Sequence, residues 1–552
     1  MREQRPRDMS PVEIGFHPQR PVPWLNPGLL IGTGVRVGLA YALGSYLDKR
    51  ELQAALPGDT FDHSGGDELW LDFTADGGDG FDATYSIAYL MAQPEIKPDG
   101  AAGPLPRGSV TVLGGDQVYP TASAKAYEER WKGPYRAALP EPGPDSPTLY
   151  ALPGNHDWYD GLTAFLRLFA QEDPAGGWLT AQHRSYFALE LPHHWWLLAM
   201  DIQLDSYIDE PQLQYFAAVA ERLGPDDKII LTTARPAWVM TGSYPEAYDS
   251  VDYFVRTIIR PTGARIPVML AGDKHHYSRY AGPGPDEQGR QLITCGGGGA
   301  YLTSTGHLPD AVQVPPSHTL DRKATESETY QRQQTYPAQP TSRRLAWGIF
   351  ARLPLRNPGF SGLLGFMQTL LMLAVLTSDG QWINAPIGFA VAAVFAGTYL
   401  FAVVMGRRGA RHRIAGVLHA VPHVALGVAG AAVWTALPFI EAPAPWGTLL
   451  AFVIYLPVVA LLDTWIVAAY LLVASRFGVN INELHAGLGI DDYKCFLRMH
   501  VGTDGTLTIY PIGVDRVGRK WQTDPDAPTG ASWIRPVNPL VSQLIEPPVE
   551  AR

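Results

Sequence analysis

Between residues 65 and 300, short apolar runs rich in β-branched and aromatic residues recur at 69–75, 109–113, 148–152, 195–200, 229–233, 267–270 and 291–294. Each closes in a polar cluster, and runs this short bounded by Gly, Asn and Asp read as buried strands. Helical spacing fills 82–93, 122–138 and 211–223 between them, so the pattern predicts an α/β architecture. In such sheets ligands gather where strands end.

Beyond residue 357 the pattern changes. Residues 358–378, 381–406 and 414–440 contain no Asp, Glu, Lys or Arg, and 446–475 are interrupted only by Pro457 and Asp463. A hydrocarbon core of about 30 Å takes about 20 helical residues, so a bundle of about four transmembrane helices is expected over 358–476. Arg343, Arg344, Arg352 and Arg356 precede the first, Arg407, Arg408, Arg411 and Arg413 join the second to the third, and Arg476 follows the fourth. This bias predicts a multi-pass membrane protein with its soluble parts on the cytoplasmic side and the lipid bilayer as a partner. An ionisable group at membrane depth is costly, which singles out His419, His423 and Asp463. Helix-to-helix hydrogen bonding is their expected role, ahead of a relay.

Three polar regions surround these blocks. Residues 1–64 are read as an N-terminal segment with an amphipathic helix over 28–47, residues 304–357 as a linker or lid, and residues 477–552 as a C-terminal soluble region with a hairpin of strands at 496–501 and 506–511, which either packs back on the domain before the helices or stands apart from it. The candidate catalytic domain spans 65–303.

Hydrophobic residues make up 46% of the 552 and charged residues 18%, which fits a soluble part joined to a membrane part. A net charge of -11 without a long Lys/Arg run gives no footprint for nucleic acid, which is not expected as a partner. Two distant cysteines, Cys295 and Cys495, fit a reducing compartment. The polar, proline-rich residues 1–23 do not predict a secretory signal peptide. Oligomeric state is not encoded in any pattern found.

The chemistry lies in the clusters that close the strands: Ala75-Asp76-Gly77-Gly78-Asp79-Gly80, Gly115-Asp116-Gln117-Val118-Tyr119, Gly154-Asn155-His156-Asp157 and Gly272-Asp273-Lys274-His275-His276. Carboxylates, an amide, imidazoles and a phenol are the mixed oxygen and nitrogen donors that divalent cations take.

The order GDxxY, then GNHD, then a Gly-led turn containing His resembles the calcineurin-like metallophosphoesterases in their purple acid phosphatase variant, over about residues 65–300. That resemblance implies a four-layer α/β/β/α sandwich of two mixed sheets and two divalent metal ions, with Mn, Fe, Zn and Mg not distinguished. It implies Asp76 on the first metal, Asp116 bridging both, Asn155 on the second and His275 returning to the first. A bridging carboxylate holds two cations about 3.5 to 4 Å apart for attack on phosphorus. His156 would protonate the leaving oxygen or steady the transition state, with Asp157 orienting its imidazole. Tyr119 either ligates or packs beside the site.

There are departures from the family pattern. Gly78 stands where the usual motif has His. Asp273 replaces the first imidazole of the Gly-His-x-His turn and is a candidate ligand in its own right. Ala234-Arg235-Pro236 has alanine where the family places a ligand His, leaving Arg235 to clamp a phosphate or to form a structural ion pair. The run 295–300 either brings backbone to the metal rim or closes the sheet. His193 and His194 are read as structural, while His183 and Arg184 lie where they could reach the site. The expected function is metal-dependent hydrolysis of a phosphate mono- or diester by a membrane-anchored enzyme. The alternative is a weakened phosphate-binding or sensor module coupled to the membrane helices.

Overall fold

A computed structural model describes residues 3–4, 9–30, 32, 34–35, 38, 51–202, 207–241, 245–282, 289–316, 327–378, 384–403, 409–437, 446–524, 527–528 and 530–552. The amphipathic helix expected over 28–47 lies mostly outside the described residues. The chain divides into two compact units, residues 1–22, 33–339 and 490–552 in one, 23–32 and 340–489 in the other.

The main strands of the first unit are β1 (Phe61–Asp62), β2 (Leu69–Thr74), β3 (Val110–Leu113), β4 (Thr148–Ala151), β5 (Leu179–Thr180), β6 (Phe187–Leu191), β7 (Trp195–Met200), β8 (Lys228–Thr233), β9 (Arg265–Ala271), β10 (Tyr277–Ala281), β11 (Gln291–Cys295), β12 (Ala311–Val314), β13 (Glu328–Tyr336), β14 (Lys494–Val501), β15 (Leu507–Val514), β16 (Gln543–Leu544) and β17 (Val549–Ala551). They form two mixed sheets. One runs β12-β13-β10-β11-β9-β8-β7-β6-β1, the other β16-β15-β14-β2-β3-β4-β5 with β17 also on β15. Strands β2 to β5 are mutually parallel, as are β7, β8, β9 and β11. Strands buried on both faces lose the two-residue alternation and read as continuous apolar runs, which is why the pattern shows them plainly.

Three apolar clusters define the layers. Leu71, Phe73 and Val112 of one sheet meet Leu189, Leu197 and Ile230 of the other. Helix α1 (Phe81–Ala92) and the aromatic residues Trp131, Tyr135 and Trp178 cover the outer face of the first sheet. Helix α2 (Glu210–Ala220), with Trp238 and Phe254, covers Leu198, Ile229 and Leu231 of the second. The order is helix, sheet, sheet, helix.

Two polar regions belong to these sheets. Residues 304–357, expected as a linker, contribute β12 and β13 to the nine-stranded sheet. Their Gln- and Thr-rich sequence hides this, because strands near a sheet edge are held through backbone bonds and bury few side chains. The expected terminal hairpin is present as β14 and β15. It is not a separate region: β14 pairs antiparallel with β2, Leu497 opposite Phe73 and Val501 opposite Leu69. Beside that pairing Arg498 Nε and Nη2 donate to Asp72 Oδ1 and Oδ2 at 2.8 and 2.9 Å, and Nη1 donates to the Leu105 carbonyl at 3.0 Å. Both side chains are wholly buried, so this bidentate contact satisfies charges that water cannot reach.

The second unit holds α3 (Pro358–Leu376), α4 (Ala385–Val403), α5 (Ala410–Thr435) and α6 (Leu456–Ser475). Among the described residues, four helices are long and apolar enough to cross a membrane, α6 being extended to Phe452. Gly365 brings α3 against α6: a Cβ there would lie 2.5 Å from that of Ala460. Small residues at such crossings are how apolar helices pack closely in lipid.

Removing one partner of the buried pair leaves the other charge uncompensated. Arg498→Ala should therefore lower stability by about 3 to 5 kcal/mol, whereas Asp72→Leu with Arg498→Met together should recover most of it. Denaturant unfolding of the full-length protein in detergent measures both.

Candidate metal centre

The four polar clusters are brought together where strands end. Asp76 follows β2, Asp116 follows β3, Asn155 and His156 open a short helix (Asn155–Trp158) after β4, and Asp273 and His275 follow β9. Asp76, Asp116, Asp273 and His275 take φ of 60°, 52°, 65° and 37°. This left-handed conformation costs a residue with a side chain about 1 to 2 kcal/mol. Such strain persists where surrounding structure over-determines the backbone, and here the hydrogen bonds do so. Asp273 N donates to Asp76 Oδ1 at 3.1 Å, His275 N to Asp76 Oδ2 at 3.4 Å, and His156 N to Asp116 Oδ1 at 2.8 Å.

Tyr119 joins the group at its centre. Its buried hydroxyl lies 3.4 Å from Asp76 Oδ1, 3.2 Å from Asp116 Oδ2 and 3.1 Å from His275 Nε2. His275 Nδ1 donates to the Tyr301 carbonyl at 2.9 Å, which turns the Nε2 lone pair toward the phenol. Burial holds that imidazole neutral, its pKa down at about 3, and a neutral ring is the ligating form. Asp79 supports this arrangement from behind, its Oδ2 accepting from Tyr301 N at 3.3 Å.

Burial pushes the Asp76 carboxyl well above its ordinary range, and the charges of Asp116 and Asp273 push it further. Burial also raises Asp116, although His156 opposes it. The Tyr119 phenol is pushed well above its usual value by burial and by the surrounding carboxylates. Glycine makes room for both acids: a Cβ on Gly154 would lie 2.0 Å from Asp116 Oδ1, and one on Gly296 2.1 Å from Asp76 Oδ2. The run 295–300 therefore brings backbone against Asp76. Gly298 N and Ala300 N also bond the carbonyls of Ala75 and Asp76, each at 2.8 Å.

Other expected residues are engaged differently. The Asn155 amide donates to Tyr159 Oη at 2.7 Å. Asp273 pairs with Lys274 Nζ at 2.7 Å; burial works against its charge, but Lys274 and Arg235 outweigh it and hold the carboxyl below the ordinary range. His156 Nδ1 donates to the Pro120 carbonyl at 2.7 Å, and its ring lies 4.5 Å from that of Tyr119. Asp157 does not orient His156. Its oxygens accept from Tyr127 Oη at 2.5 Å and from Gly154 N and Gln117 N at 2.8 and 3.3 Å, tying the two loops together. The backbone carbonyl of Pro120 takes the role expected of Asp157, because the Asp157 side chain closes the first turn of its own helix.

Ala234 is buried against the glycine that leads into Asp116: a Cβ on Gly115 would lie 2.8 Å from that of Ala234. His183 faces Asp59 and Glu172 at 3.6 and 3.5 Å, and Arg184 donates to the Leu56 carbonyl, so neither joins the group. The supporting roles of Tyr301, Pro120, Tyr127 and Tyr159 are absent from the sequence reading. Carbonyls carry no residue signature, and the hydroxyls lie outside the motifs.

Among the described residues, no group of three or more His, Cys, Asp and Glu side chains is arranged to hold a metal ion. Asp76, Asp116 and His275 meet around a phenol rather than around one another. The donor chemistry is nonetheless of the kind one divalent cation takes: two buried carboxylates, a neutral imidazole and a phenol, beside glycines whose lack of a Cβ leaves room for the carboxylate oxygens. For a second cation the expected donors Asn155 and Asp273 are turned to Tyr159 and Lys274, and Ala234 supplies none.

No family model matches this chain, and no curated protein matches it. Among solved structures, a similar chain is a purple acid phosphatase isolated from yellow lupin (Lupinus luteus) seeds, 13% identical with a TM-score of 0.31. The match covers 50% of this chain and 48% of that one, so this chain spans about half the length of the solved protein it matches. A likeness of that size sets neither fold nor activity, and the weight falls on the residues themselves.

Two measurements check the site. Divalent cation should raise the melting temperature of the chelator-stripped protein, by about 2.7 kcal/mol of stability at a hundredfold excess over Kd, and Asp76→Asn or Asp116→Asn should abolish the rise. His275 is held neutral down to about pH 3 against an unfolded value of 6.5. Its contribution is present above pH 6.5 and is lost as pH falls toward 3, by up to about 1.4 kcal/mol per pH unit. The difference between wild type and His275→Gln across that window, both in chelator, isolates it.

Proposed function

We propose that this chain hydrolyses a phosphate ester, with divalent metal held by Asp76, Asp116, Tyr119 and His275. The observation that carries this reading is one phenol oxygen within 3.4 Å of two buried carboxylates and an imidazole, each from a different strand end. The chemistry that a divalent cation supplies in such a donor set is Lewis-acid polarisation of a phosphoryl oxygen. The chain's own residues provide the rest. His156, oriented through Nδ1 by the Pro120 carbonyl, gives its proton, when protonated, to the leaving oxygen. Lys274 and Arg235 put positive charge beside Asp273 at the rim, where phosphoryl oxygens gain by it.

The fold underlying this reading is that of a metallophosphoesterase, supported by the helix, sheet, sheet, helix order and by the motifs at the strand ends. The four apolar helices anchor the enzyme in a lipid bilayer, with the arginine-rich connections Arg343, Arg344, Arg352, Arg356, Arg411, Arg413 and Arg476 on the cytoplasmic side, and the substrate is a phosphate mono- or diester. A second reading, binding of a phosphorylated ligand without turnover, is favoured by the engagement of Asn155 with Tyr159 and of Asp273 with Lys274. Both would have to open before a second cation could join.

Hydrolysis of aryl phosphate mono- and diesters by the full-length protein with Mn, Fe, Zn or Mg separates the two. The enzyme reading expects turnover that Asp116→Asn abolishes and that His156→Gln lowers about 100-fold in kcat. Saturable phosphate binding without turnover under any metal would favour the second reading and sink the first.

A further inference from the structure

Inside the second unit, the three ionisable side chains expected to bond helix to helix form one continuous chain. His419 Nδ1 lies 2.9 Å from the Thr398 carbonyl of α4, and its Nε2 lies 3.0 Å from Nε2 of His423, one turn along α5. His423 Nδ1 lies 2.6 Å from Asp463 Oδ1 of α6. Gln368 of α3 donates to Asp463 Oδ1 and to the His423 carbonyl, each at 3.0 Å. All four side chains are buried, and the Gln368 Oε1 at this junction has no hydrogen-bond partner. Four helices therefore meet at one polar line.

Counting hydrogens along the line fixes its protonation. The Thr398 carbonyl only accepts, so His419 Nδ1 carries a hydrogen. The contact between the two Nε2 atoms needs one hydrogen, and so does the contact between His423 Nδ1 and Asp463. Three contacts hold three protons, one more than two neutral histidines beside an ionised aspartate. The extra proton sits on Asp463, on His423, or, after a shift across the nitrogen pair, on His419, and the net charge is zero in every case. It can travel from one end to the other with no heavy atom changing place.

We propose that Asp463, His423 and His419 form a proton-binding relay in the helix bundle, whose one exchangeable proton keeps the four helices joined. A fourth proton taken up by the histidines puts hydrogens on both facing Nε2 atoms and drives them apart. Loss of the third leaves one contact without a hydrogen and a net negative charge that the Gln368 amide still meets, which is costly in such surroundings. The other titratable groups facing the line are Tyr470, stacked on His419 at 4.0 Å, and Tyr455, within electrostatic reach of Asp463. Glu483 lies beyond Tyr470. The packing of the bundle thus answers to proton occupancy at a place remote in sequence from the phosphoesterase motifs, and it stands whether or not hydrolysis occurs.

The test is nitrogen NMR of full-length protein, labelled with 15N-histidine and held in lipid nanodiscs, across the pH range in which it stays folded. The expected result is a scalar coupling between the two Nε2 atoms that is present at intermediate pH and lost toward both acid and alkali. Asp463→Asn, which fills the same space and supplies a fixed hydrogen, should keep the acid limb and lack the alkaline one. The relay is overturned by a wild type with no coupling at any pH, by a coupling indifferent to pH, or by identical profiles in wild type and variant.

Discussion

The bond between Arg498 and Asp72 is made where no water can substitute for either partner, and it joins residues on opposite sides of the block of four apolar helices in sequence. Strand β14 cannot leave β2 without exposing that pair, and β2 is the strand that delivers Asp76. A buried ion pair adds little net stability compared with an apolar filling of the same space, but it discriminates strongly against any register that separates its charges. Here it lies across the pairing of β14 with β2, the strand that leads to Asp76.

That centre concentrates unfavourable features at the ends of strands held rigid by the two sheets. Four residues with side chains adopt left-handed backbone, and the charge of Asp273 opposes ionisation of both Asp76 and Asp116 within a small buried volume. Their positions are over-determined by backbone amides from neighbouring loops, by the Tyr119 hydroxyl and by glycines that leave no room for side chains. Strain and like-charge crowding of this kind persist when the surrounding core is large, and the apolar layer between the sheets provides it.

Both units rely on the same device, a small polar network closed on itself inside an apolar surround. In the first it gathers oxygen and nitrogen donors around a phenol, and in the second it threads imidazoles and a carboxylate between helices. In each, low polarity of the surroundings makes every hydrogen bond stronger and every missing one more costly, so the number of protons present becomes a structural variable. This is the shared physical reason that the candidate chemistry of the chain sits where its packing is most exacting.

Much of this was legible in the chain alone. The seven apolar runs are strands because burial on both faces demands continuous hydrophobic sequence, and the four long apolar stretches are helices because nothing else satisfies their backbone over such a length. Asp76, Asp116, Tyr119 and His275 could be named because the motifs bearing them follow strands in a fixed order. The hairpin in the last 60 or so residues was legible, as was its packing back on the domain as one alternative, but not which strand it pairs with or in what register, since strand pairing is a contact between backbones. Nor could the sequence reveal that Pro120 rather than Asp157 holds His156, that Asn155 and Asp273 are turned to Tyr159 and Lys274, or that His419, His423 and Asp463 form one line. Those outcomes depend on side-chain directions, which only the packed tertiary structure decides.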